Sequence, residues 1–141
     1  MNDDAVTPLR PEELDRVEQM DAQTRAAWML EEVARHEMAW ALTDDNGWVL
    51  FKLDNSPAGQ SPYALPLWPR QELAALSARD SSEQPRAVDL ETVLEELLPQ
   101  VAQEGWRVLA CPAKNVGLVE EAAAFSTALA DAWTQMLEED A

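Results

Sequence analysis

Few side chains in the sequence have the type and spacing that catalysis needs. His36 is the only histidine and Cys111 the only cysteine, so they cannot supply the four ligands of a zinc site built from cysteine and histidine. No serine or cysteine stands near His36 in a recognisable nucleophile motif, so a hydrolytic triad is not indicated. We interpret His36 as an exposed residue at a helix end, where its charge would be favourable against the helix dipole.

Oxygen-rich and glycine-rich segments are equally poor in binding motifs. Asp44-Asp45-Asn46-Gly47 lacks the alternating spacing and the distal glutamate of a calcium loop, and its Asn-Gly pair between apolar runs indicates a hairpin turn. The four glycines are too scattered for a phosphate loop or a dinucleotide fingerprint. We therefore predict no catalytic residue, no metal site and no cofactor in a protein that is not an enzyme. A hydrolase with a non-standard carboxylate pair is an alternative.

Tryptophan is unusually frequent, with six residues in the chain. We expect most of them to lie in the core, but an exposed indole would favour a protein interface. Trp40 and Trp48 flank the predicted turn and could face one another across the hairpin. Trp68 stands at the end of a predicted strand, where side chains often line a cleft. The candidate interaction surface, with the acidic turn and an arginine as its polar rim, comprises Trp40, Asp44, Asp45, Trp48, Trp68 and Arg70.

Helical patterning dominates the first part of the chain. Residues 1–10 are polar and are expected to be flexible. Proline followed by two acids predicts a helix over residues 11 to about 20, and Asp21 is expected to cap a second helix over 22 to about 36. The second helix has an apolar face that needs a sheet to cover it, formed by Ala26, Met29, Leu30 and Val33. Its charged residues are predicted to point outward: Arg25, Glu32 and Arg35.

Strand patterning follows the second helix. Apolar runs at 38–42 and 48–53 flank the turn and predict a hairpin of two antiparallel strands. Residues 54–62 have the composition of an enlarged loop. A third strand is predicted over 63–67, with Pro66 at a sheet edge or at the end of the strand, because proline cannot donate to the ladder.

Trp68-Pro69 is predicted to switch the chain from strand to helix, since proline fits the first helical turn and disfavours helix in the residue before it. The resulting helix over 69 to about 78 would turn Leu73 and Leu76 inward. Residues 79–86 are polar and unpatterned, so we expect them to be exposed.

The clearest helix begins near Leu90, where apolar residues repeat at spacings of three and four. Asp89 is expected to cap it, Pro99 to kink it or end its regular part, and Gly105 to terminate it. The remaining predicted elements are strands over 106–111 and 116–118, a turn between them at Lys114-Asn115, and a last helix over 119 to about 137.

This order of elements predicts an α+β fold, in which helices pack on a mainly antiparallel sheet of about four to five strands. The 141 residues are enough for one domain and too few for two, so residues 11–141 are predicted to form a single domain. No stretch approaches the roughly 18 to 20 apolar residues of a membrane helix, and the acidic start does not look like a secretory signal. We therefore expect a cytoplasmic protein.

The net charge of −17 is large for a chain of 15.7 kDa. It would repel nucleic-acid phosphates and anionic lipid headgroups, so we expect no direct binding to nucleic acid or to membranes. It could attract a basic protein partner, although an acidic surface also simply keeps a protein soluble. The acids are spread along the chain and form no long tail.

Several motifs resemble the small bacterial proteins catalogued as domain of unknown function 2750. The most specific motif is Leu65-Pro66-Leu67-Trp68-Pro69, and Trp40-Ala41-Leu42 and Gly47-Trp48-Val49 support it. The long helix and Val108-Leu109-Ala110-Cys111-Pro112 also fit, although members of the family often carry an aromatic residue where this chain has Cys111. The resemblance covers about residues 25–137. It implies a fold type, leaves the biochemistry open and supplies no catalytic residues.

These features together favour a non-enzymatic cytosolic domain that binds another protein, with no signal for a particular oligomeric state. Small size, strong negative charge and the lack of a catalytic motif fit an immunity or inhibitor protein that neutralises a basic toxin or effector. An exposed tryptophan ringed by acids would support that hypothesis. The alternative is a small-ligand sensor, which would show an apolar cavity beside Trp68.

Overall fold

The strands form two sheets in the part of the chain that the computed structural model describes, residues 9–53, 58–113 and 116–139. The order is β2-β1-β5 in one sheet and β3-β4-β6-β7 in the other, and every neighbouring pair is antiparallel except β4 and β6, which run parallel. The bounds are β1 Met38–Asp44, β2 Gly47–Trp48, β3 Phe51–Lys52, β4 Tyr63–Leu67, β5 Gln84–Asp89, β6 Arg107–Ala113 and β7 Val116–Glu120.

Helices pack on both sheets. The bounds are α1 Pro11–Gln19, α2 Ala22–His36, α3 Gln71–Ser77, α4 Leu90–Thr92, a π-helical turn Val93–Leu97, α5 Leu98–Glu104 and α6 Ala122–Glu139. The helix α2 contacts β6 and β7, α3 contacts β1 and β5, and α6 lies against α2 and α5. The predicted α+β class, with one domain and helices packed on mainly antiparallel strands, is confirmed. No helix among the described residues is long and apolar enough to cross a membrane.

A backbone contact between two tryptophans joins the two sheets. Trp40 donates its N–H to the carbonyl of Trp68 at 2.7 Å, and Trp68 returns the bond at 2.8 Å. The strand after the hairpin turn also passes from one sheet to the other, since β2 pairs with β1 and β3 pairs with β4. Between β2 and β3, Val49 donates to the carbonyl of Leu42 at 2.9 Å.

The hairpin lies where it was predicted, but its turn is built differently. Asp44 pairs with Gly47, so Asp45 and Asn46 are the central residues instead of Asn46 and Gly47. The Asp44 carboxylate accepts the Asn46 N–H at 2.8 Å and closes the turn. Only Gly47 of this turn has a positive φ, at 112°, which is the conformation that glycine adopts most readily.

The proline of β4 occupies an interior strand, because β3 and β6 lie on either side of it. Pro66 stands next to the end of β4, as the sequence predicted, but not at a sheet edge. The N–H of Trp68 points toward Trp40, and backbone groups two residues apart in a strand point the same way. The nitrogen of Pro66 therefore faces the space between the Phe51–Ala64 pair and the Trp40–Trp68 contact, where no ladder hydrogen bond is lost.

Residues 79–86 are mostly exposed, as predicted, but they are not unpatterned, because they include the start of β5. Gln84–Asp89 pairs along the whole of β1, from Thr43 opposite Gln84 to Met38 opposite Asp89. Glu83 is buried. The described chain consequently has seven strands instead of four to five, because β5 was missed and the strand after the turn is divided into two.

The helix α2 buries two charged residues that were predicted to face solvent. Asp21 caps it by accepting the Thr24 N–H at 2.7 Å, and Met29 and Val33 are buried as predicted. Arg25 is only 2% exposed and Glu32 only 8% exposed, so the outward prediction is wrong for both. Arg35, on the same helix, is exposed.

The long helix contains an irregular turn in front of its proline. Asp89 caps α4 by accepting the Thr92 N–H at 3.1 Å, as predicted. The turn Val93–Leu97 is π-helical and ordinary α-helix resumes at Leu98–Glu104. Pro99 cannot donate a hydrogen bond to the preceding turn and crowds it sterically, so the wider turn accommodates it. Gly105 ends the helix in the left-handed conformation, with φ at 80°.

The helix α3 is shorter than predicted and exposes one of its leucines. It begins at Gln71 after Arg70 instead of at Pro69. Leu73 is buried as expected, but Leu76 is 60% exposed, which contradicts the inward prediction. The last helix begins at Ala122 instead of 119 because β7 extends to Glu120. The predictions for residues 1–8, 54–57 and 114–115 lie outside the described residues.

Candidate functional site

An open cavity of about 250 Å³ lies at the carboxyl ends of the parallel strands β4 and β6. The helix α3 follows β4 and forms one wall, and the end of β6 forms another. Crevices at the carboxyl ends of parallel strands are the usual binding positions of α/β sheets. We call this cavity the α3 cleft; its lining residues are Glu18, Leu73, Leu76, Ser77, Arg79, Pro112 and Ala113.

The wall of the α3 cleft that the end of β6 forms is held by the buried Trp68. Trp68 is 0% exposed, and its indole Nε1–H donates to the carbonyl of Pro112 at 2.9 Å. Phe51 packs edge-on against Trp68, with ring centroids 6.2 Å apart. Trp68 therefore fixes the position of Pro112 from below and does not itself reach the cleft surface.

A bulge in β6 shapes the same wall. The pairing of β6 with β7 shifts register between Ala110 and Ala113, and Cys111 within the shift has a positive φ of 45°. Positive φ is uncommon for residues other than glycine and carries a conformational cost. Bulges re-aim side chains and are frequent beside binding sites, and here the residues after Cys111 are the two that line the cleft, Pro112 and Ala113.

Arg25 holds the bulge from inside the protein. Its Nε donates to the Cys111 carbonyl at 2.7 Å, and its Nη2 donates to the Val116 carbonyl at 2.5 Å. Its Nη1 donates to the carbonyls of Met20 at 2.8 Å and Val17 at 3.5 Å, at the end of α1. One guanidinium thus connects the end of α1, the bulge of β6 and the start of β7.

Arg79, a basic residue of the cleft lining, has several acidic neighbours. Arg79 donates from Nη2 and Nε to the Glu83 carboxylate at 2.7 Å and 2.9 Å, and its guanidinium lies 5.2 Å from the Phe51 ring centroid. The hydrogen bond to Glu83 raises the pKa of Arg79 against the opposing effect of burial, and the charges of Asp80 and Asp44 raise it further. Arg79 in the cleft lining therefore interacts electrostatically with Asp44 at the hairpin tip.

The predicted interaction surface is not assembled as a unit. Trp68 is in the core, and Arg70 is buried with its Nη1 3.3 Å from Glu32 Oε1. Trp48 lies opposite Thr43, so it does not face Trp40 across the hairpin. The ring of Trp48 instead lies 6.0 Å from the guanidinium of Arg86.

Two acids of the predicted surface, Asp44 and Asp45, do lie together at the hairpin tip, and Asp44 is close enough to influence Arg79. Trp40 and Trp48 are half-buried, so neither is an exposed indole ringed by acids. Sequence reasoning missed Arg79, Leu76 and Pro112 as lining residues, because it assigned them to an exposed segment, to the core and to a strand end.

The only histidine belongs to a separate cluster around Glu32. The Glu32 carboxylate accepts from Arg35 at 2.8 Å and from Arg70 at 3.3 Å, and His36 Nε2 lies 3.7 Å from Glu32 Oε1. This cluster ties α2 to the start of α3, and His36 is half-buried instead of exposed. Among the described residues, no group of three or more histidine, cysteine or acidic side chains is placed to hold a metal ion.

Burial raises the pKa of the Cys111 thiol from 9.0 to about 12, outweighing the opposing charge of Arg25. The unfolded chain would release this proton near pH 9 while the folded protein retains it, so the folded state is stabilised least at high pH. We expect wild-type stability in urea to fall between about pH 9 and about pH 12 more steeply than that of Cys111→Ala. Equal slopes for the two proteins would show that the thiol titrates normally.

The comparisons with known proteins agree with the motif resemblance. Residues 26–129 match the family model described as a protein of unknown function, DUF2750. No curated protein and no solved structure gives a significant match. The matched region begins in α2 and ends in α6, so it includes the tryptophan contact between the sheets and most of the residues lining the α3 cleft. This chain belongs to the DUF2750 family.

Proposed function

We propose that this protein is a non-enzymatic binding module and that the α3 cleft engages a side chain of another protein. The observation that carries the proposal is Leu76, which is 60% exposed on the wall of an open cavity. Exposed leucines are common singly, but one beside a concave apolar surface can anchor a partner. Leu73, Pro112 and Ala113 supply that apolar surface.

The dimensions of the cleft favour a protein side chain over a deeply enclosed ligand. Its volume of about 250 Å³ lies below the range of roughly 300–1,000 Å³ typical of small-molecule pockets. Interfaces commonly concentrate their binding energy where one anchor side chain fills a shallow pocket. An apolar side chain of the partner would cover Leu76 and contact Pro112.

Charge supports a basic partner. The chain carries a net charge of −17, Glu18 lies in the cleft lining, and Asp44, Asp80 and Glu83 lie near Arg79. Electrostatic attraction of this kind accelerates association and excludes acidic competitors. The specific form of the proposal is an immunity or inhibitor protein that neutralises a basic toxin or effector.

The arrangement of reactive groups supports a function without catalysis. His36 is engaged with Glu32, in a cluster on α2 and α3. Cys111 is buried, and the raised pKa of its thiol disfavours the nucleophilic thiolate. An activated nucleophile needs a base within hydrogen-bond reach, and no hydrogen bond among the described residues joins His36 to Cys111.

A small-ligand sensor is the second candidate function. It is favoured by one observation, the position of the cleft at the carboxyl ends of β4 and β6. Pro112 lines the cleft and accepts the hydrogen bond of the buried Trp68 indole. An apolar ligand that carries a basic group would suit the cleft, with that group next to Glu18. Native mass spectrometry of protein purified from its own cells would detect such a ligand as added mass.

Leu76→Ser provides the test of the cleft, with Leu137→Ser as its control, because Leu137 is also an exposed helical leucine at 53%. Exposed substitutions of this kind change stability by no more than about 0.5 kcal/mol. We expect tagged wild type and Leu137→Ser to retain the same basic protein from native lysate at low salt and to release it at high salt. Leu76→Ser should retain it about tenfold less.

Equal retention by all three proteins would show that the partner binds elsewhere than the α3 cleft. A partner that stays bound at high salt would contradict charge-guided association. No stoichiometric partner at either salt would overturn the protein-binding proposal, and added mass in native mass spectrometry that Leu76→Ser lacks would establish the sensor instead.

A further inference from the structure

The strand β7 is an outer edge of the four-stranded sheet. Edge strands present unpaired backbone groups, and natural proteins usually protect them with proline, lysine, a bulge or a short length. The outer strand β5 of the other sheet carries Pro85 and Arg86. In contrast, β7 is five residues long, Val-Gly-Leu-Val-Glu, and contains no proline and no basic residue.

The direction of the backbone groups follows from the pairing of the sheet. Trp68 exchanges hydrogen bonds with Trp40 on the side of β4 away from β6. These directions alternate along a strand, so the N–H and C=O of Leu67 face β6. Leu67 lies opposite Ala110 in the parallel pair, where only one of two opposed residues bonds to the other strand. The backbone groups of Ala110 therefore face β7.

The same argument continues into β7. Ala110 lies opposite Leu118, and Val108 lies opposite Glu120. Opposed residues of an antiparallel pair either bond each other or both point away, so Leu118 and Glu120 bond to β6. Val119 lies between them and directs its N–H and C=O out of the sheet edge. No described backbone group forms a hydrogen bond with Val119 on that side.

The side chains along this edge have the character of a binding surface. Val116 is 60% exposed, and Leu118 and Val119 are half-buried. Glu120 is half-buried as well, and burial alone raises the pKa of its carboxyl. No cation among the described residues forms an ion pair with Glu120. A basic side chain on an added strand would supply the missing counter-charge.

We propose that β7 accepts an extended, basic segment of another protein as an additional strand of the sheet. The geometry is that of strand addition, in which outward backbone groups give affinity and alternate side chains give specificity. Apolar residues of the segment would pack against Val116 and Leu118, and a lysine or arginine would lie beside Glu120. A second copy of this chain is a poorer occupant, because each copy carries a net charge of −17. This proposal concerns a surface separate from the α3 cleft and does not rest on it.

The test uses the full chain and the synthetic peptide Lys-Thr-Val-Thr-Val-Thr-Lys, whose alternate residues place two valines and a flanking lysine on one face in either strand direction. The acidic control carries glutamate in place of both lysines. Val119→Pro removes the outward N–H and keeps the ladder to β6, a position at which an edge strand tolerates proline. Val119→Ala is its matched control, since it shortens the same side chain and keeps the N–H. By calorimetry we expect wild type and Val119→Ala to bind the basic peptide and Val119→Pro to bind it at least about tenfold more weakly. Leu76→Ser should bind it like wild type.

Hydrogen exchange gives a second readout that does not depend on the folding of Val119→Pro. In the wild type, the Val119 amide should exchange at least about tenfold more slowly once the basic peptide is bound. No binding of the basic peptide, equal binding of the acidic peptide, or an unchanged Val119 exchange rate would each overturn the proposal. Concentration-dependent dimers of the wild type that Val119→Pro abolishes would assign the edge to a second copy instead.

Discussion

Replacing Arg25 with methionine is expected to lower the free energy of unfolding by about 3–5 kcal/mol, because each buried acceptor that loses its donor costs about 1–3 kcal/mol. The guanidinium donates to the carbonyls of Val17, Met20, Cys111 and Val116. Methionine fills much of the same space but has no donor, so the carbonyls of Met20, Cys111 and Val116 would lose the hydrogen bonds from the guanidinium. The Val17 carbonyl keeps the N–H of Met20. Urea denaturation, read as a shift in midpoint at constant slope, measures the change.

Two further variants, Arg16→Met and Arg25→Lys, separate the possible causes of the stability loss in Arg25→Met. Arg16 is exposed on α1, and Arg16→Met should change stability by no more than about 0.5 kcal/mol. Arg25→Lys keeps the charge but loses the planar fork of donors, so we expect it to retain a loss of about 2 kcal/mol. If Arg25→Met costs no more than Arg16→Met, the three carbonyls have other donors and Arg25 does not hold the bulge.

The position of Arg25 shows where helical periodicity succeeds and where it fails. The spacing of Met29 and Val33 located the apolar face of α2, and proline and aspartate signals located the starts of α1 and α2. Arg25 lies on that same face, one turn before Met29, and was assigned outward because charged residues are rarely buried. Its partners at Cys111 and Val116 are 86 and 91 residues away in sequence, so no local pattern predicts them.

Strands whose partner is adjacent in sequence were predicted, whereas a strand whose partner is distant in sequence was missed. The hairpin was predictable because its turn residues and both apolar runs are adjacent in sequence. The strand β5 was missed because Gln84–Asp89 contains proline and three charged or amide side chains, and only its pairing with β1 makes it a strand. The tertiary pairing overrides intrinsic propensity at such sites.

The candidate site could not be assembled from sequence, although some of its residues could be noticed. The α3 cleft exists because β4 and β6 run parallel and end together, with more than 40 residues between Leu67 and Ala110 in the chain. Periodicity placed Leu76 in the core, since helical spacing cannot tell which end of a short helix lies over the sheet. The cavity beside Trp68 was anticipated as a possibility for the sensor alternative, but its lining required the bulge at Cys111.

Trp68→Ala is expected to be as damaging as the loss of Arg25, at about 3–5 kcal/mol, since truncation of a buried tryptophan leaves a cavity that the core cannot refill. Trp68 is 0% exposed and stands where the two sheets meet. Trp68→Phe keeps a ring against Phe51 but removes the Nε1–H that donates to the Pro112 carbonyl. We therefore expect a smaller loss of unfolding free energy, about 1–3 kcal/mol. Urea denaturation of each variant gives these values.

Trp133→Phe is the control that isolates the hydrogen bond in this comparison. The Trp133 indole nitrogen is buried without a hydrogen-bond partner among the described residues, so its removal relieves an unsatisfied donor and should leave stability unchanged or slightly higher. Replacing tryptophan with phenylalanine is therefore expected to lower stability at Trp68 but not at Trp133, because only the Trp68 indole donates to a carbonyl. If Trp68→Phe proved as neutral as Trp133→Phe, the Pro112 carbonyl would be satisfied by water from the cleft, and the cleft wall would not depend on the tryptophan beneath it.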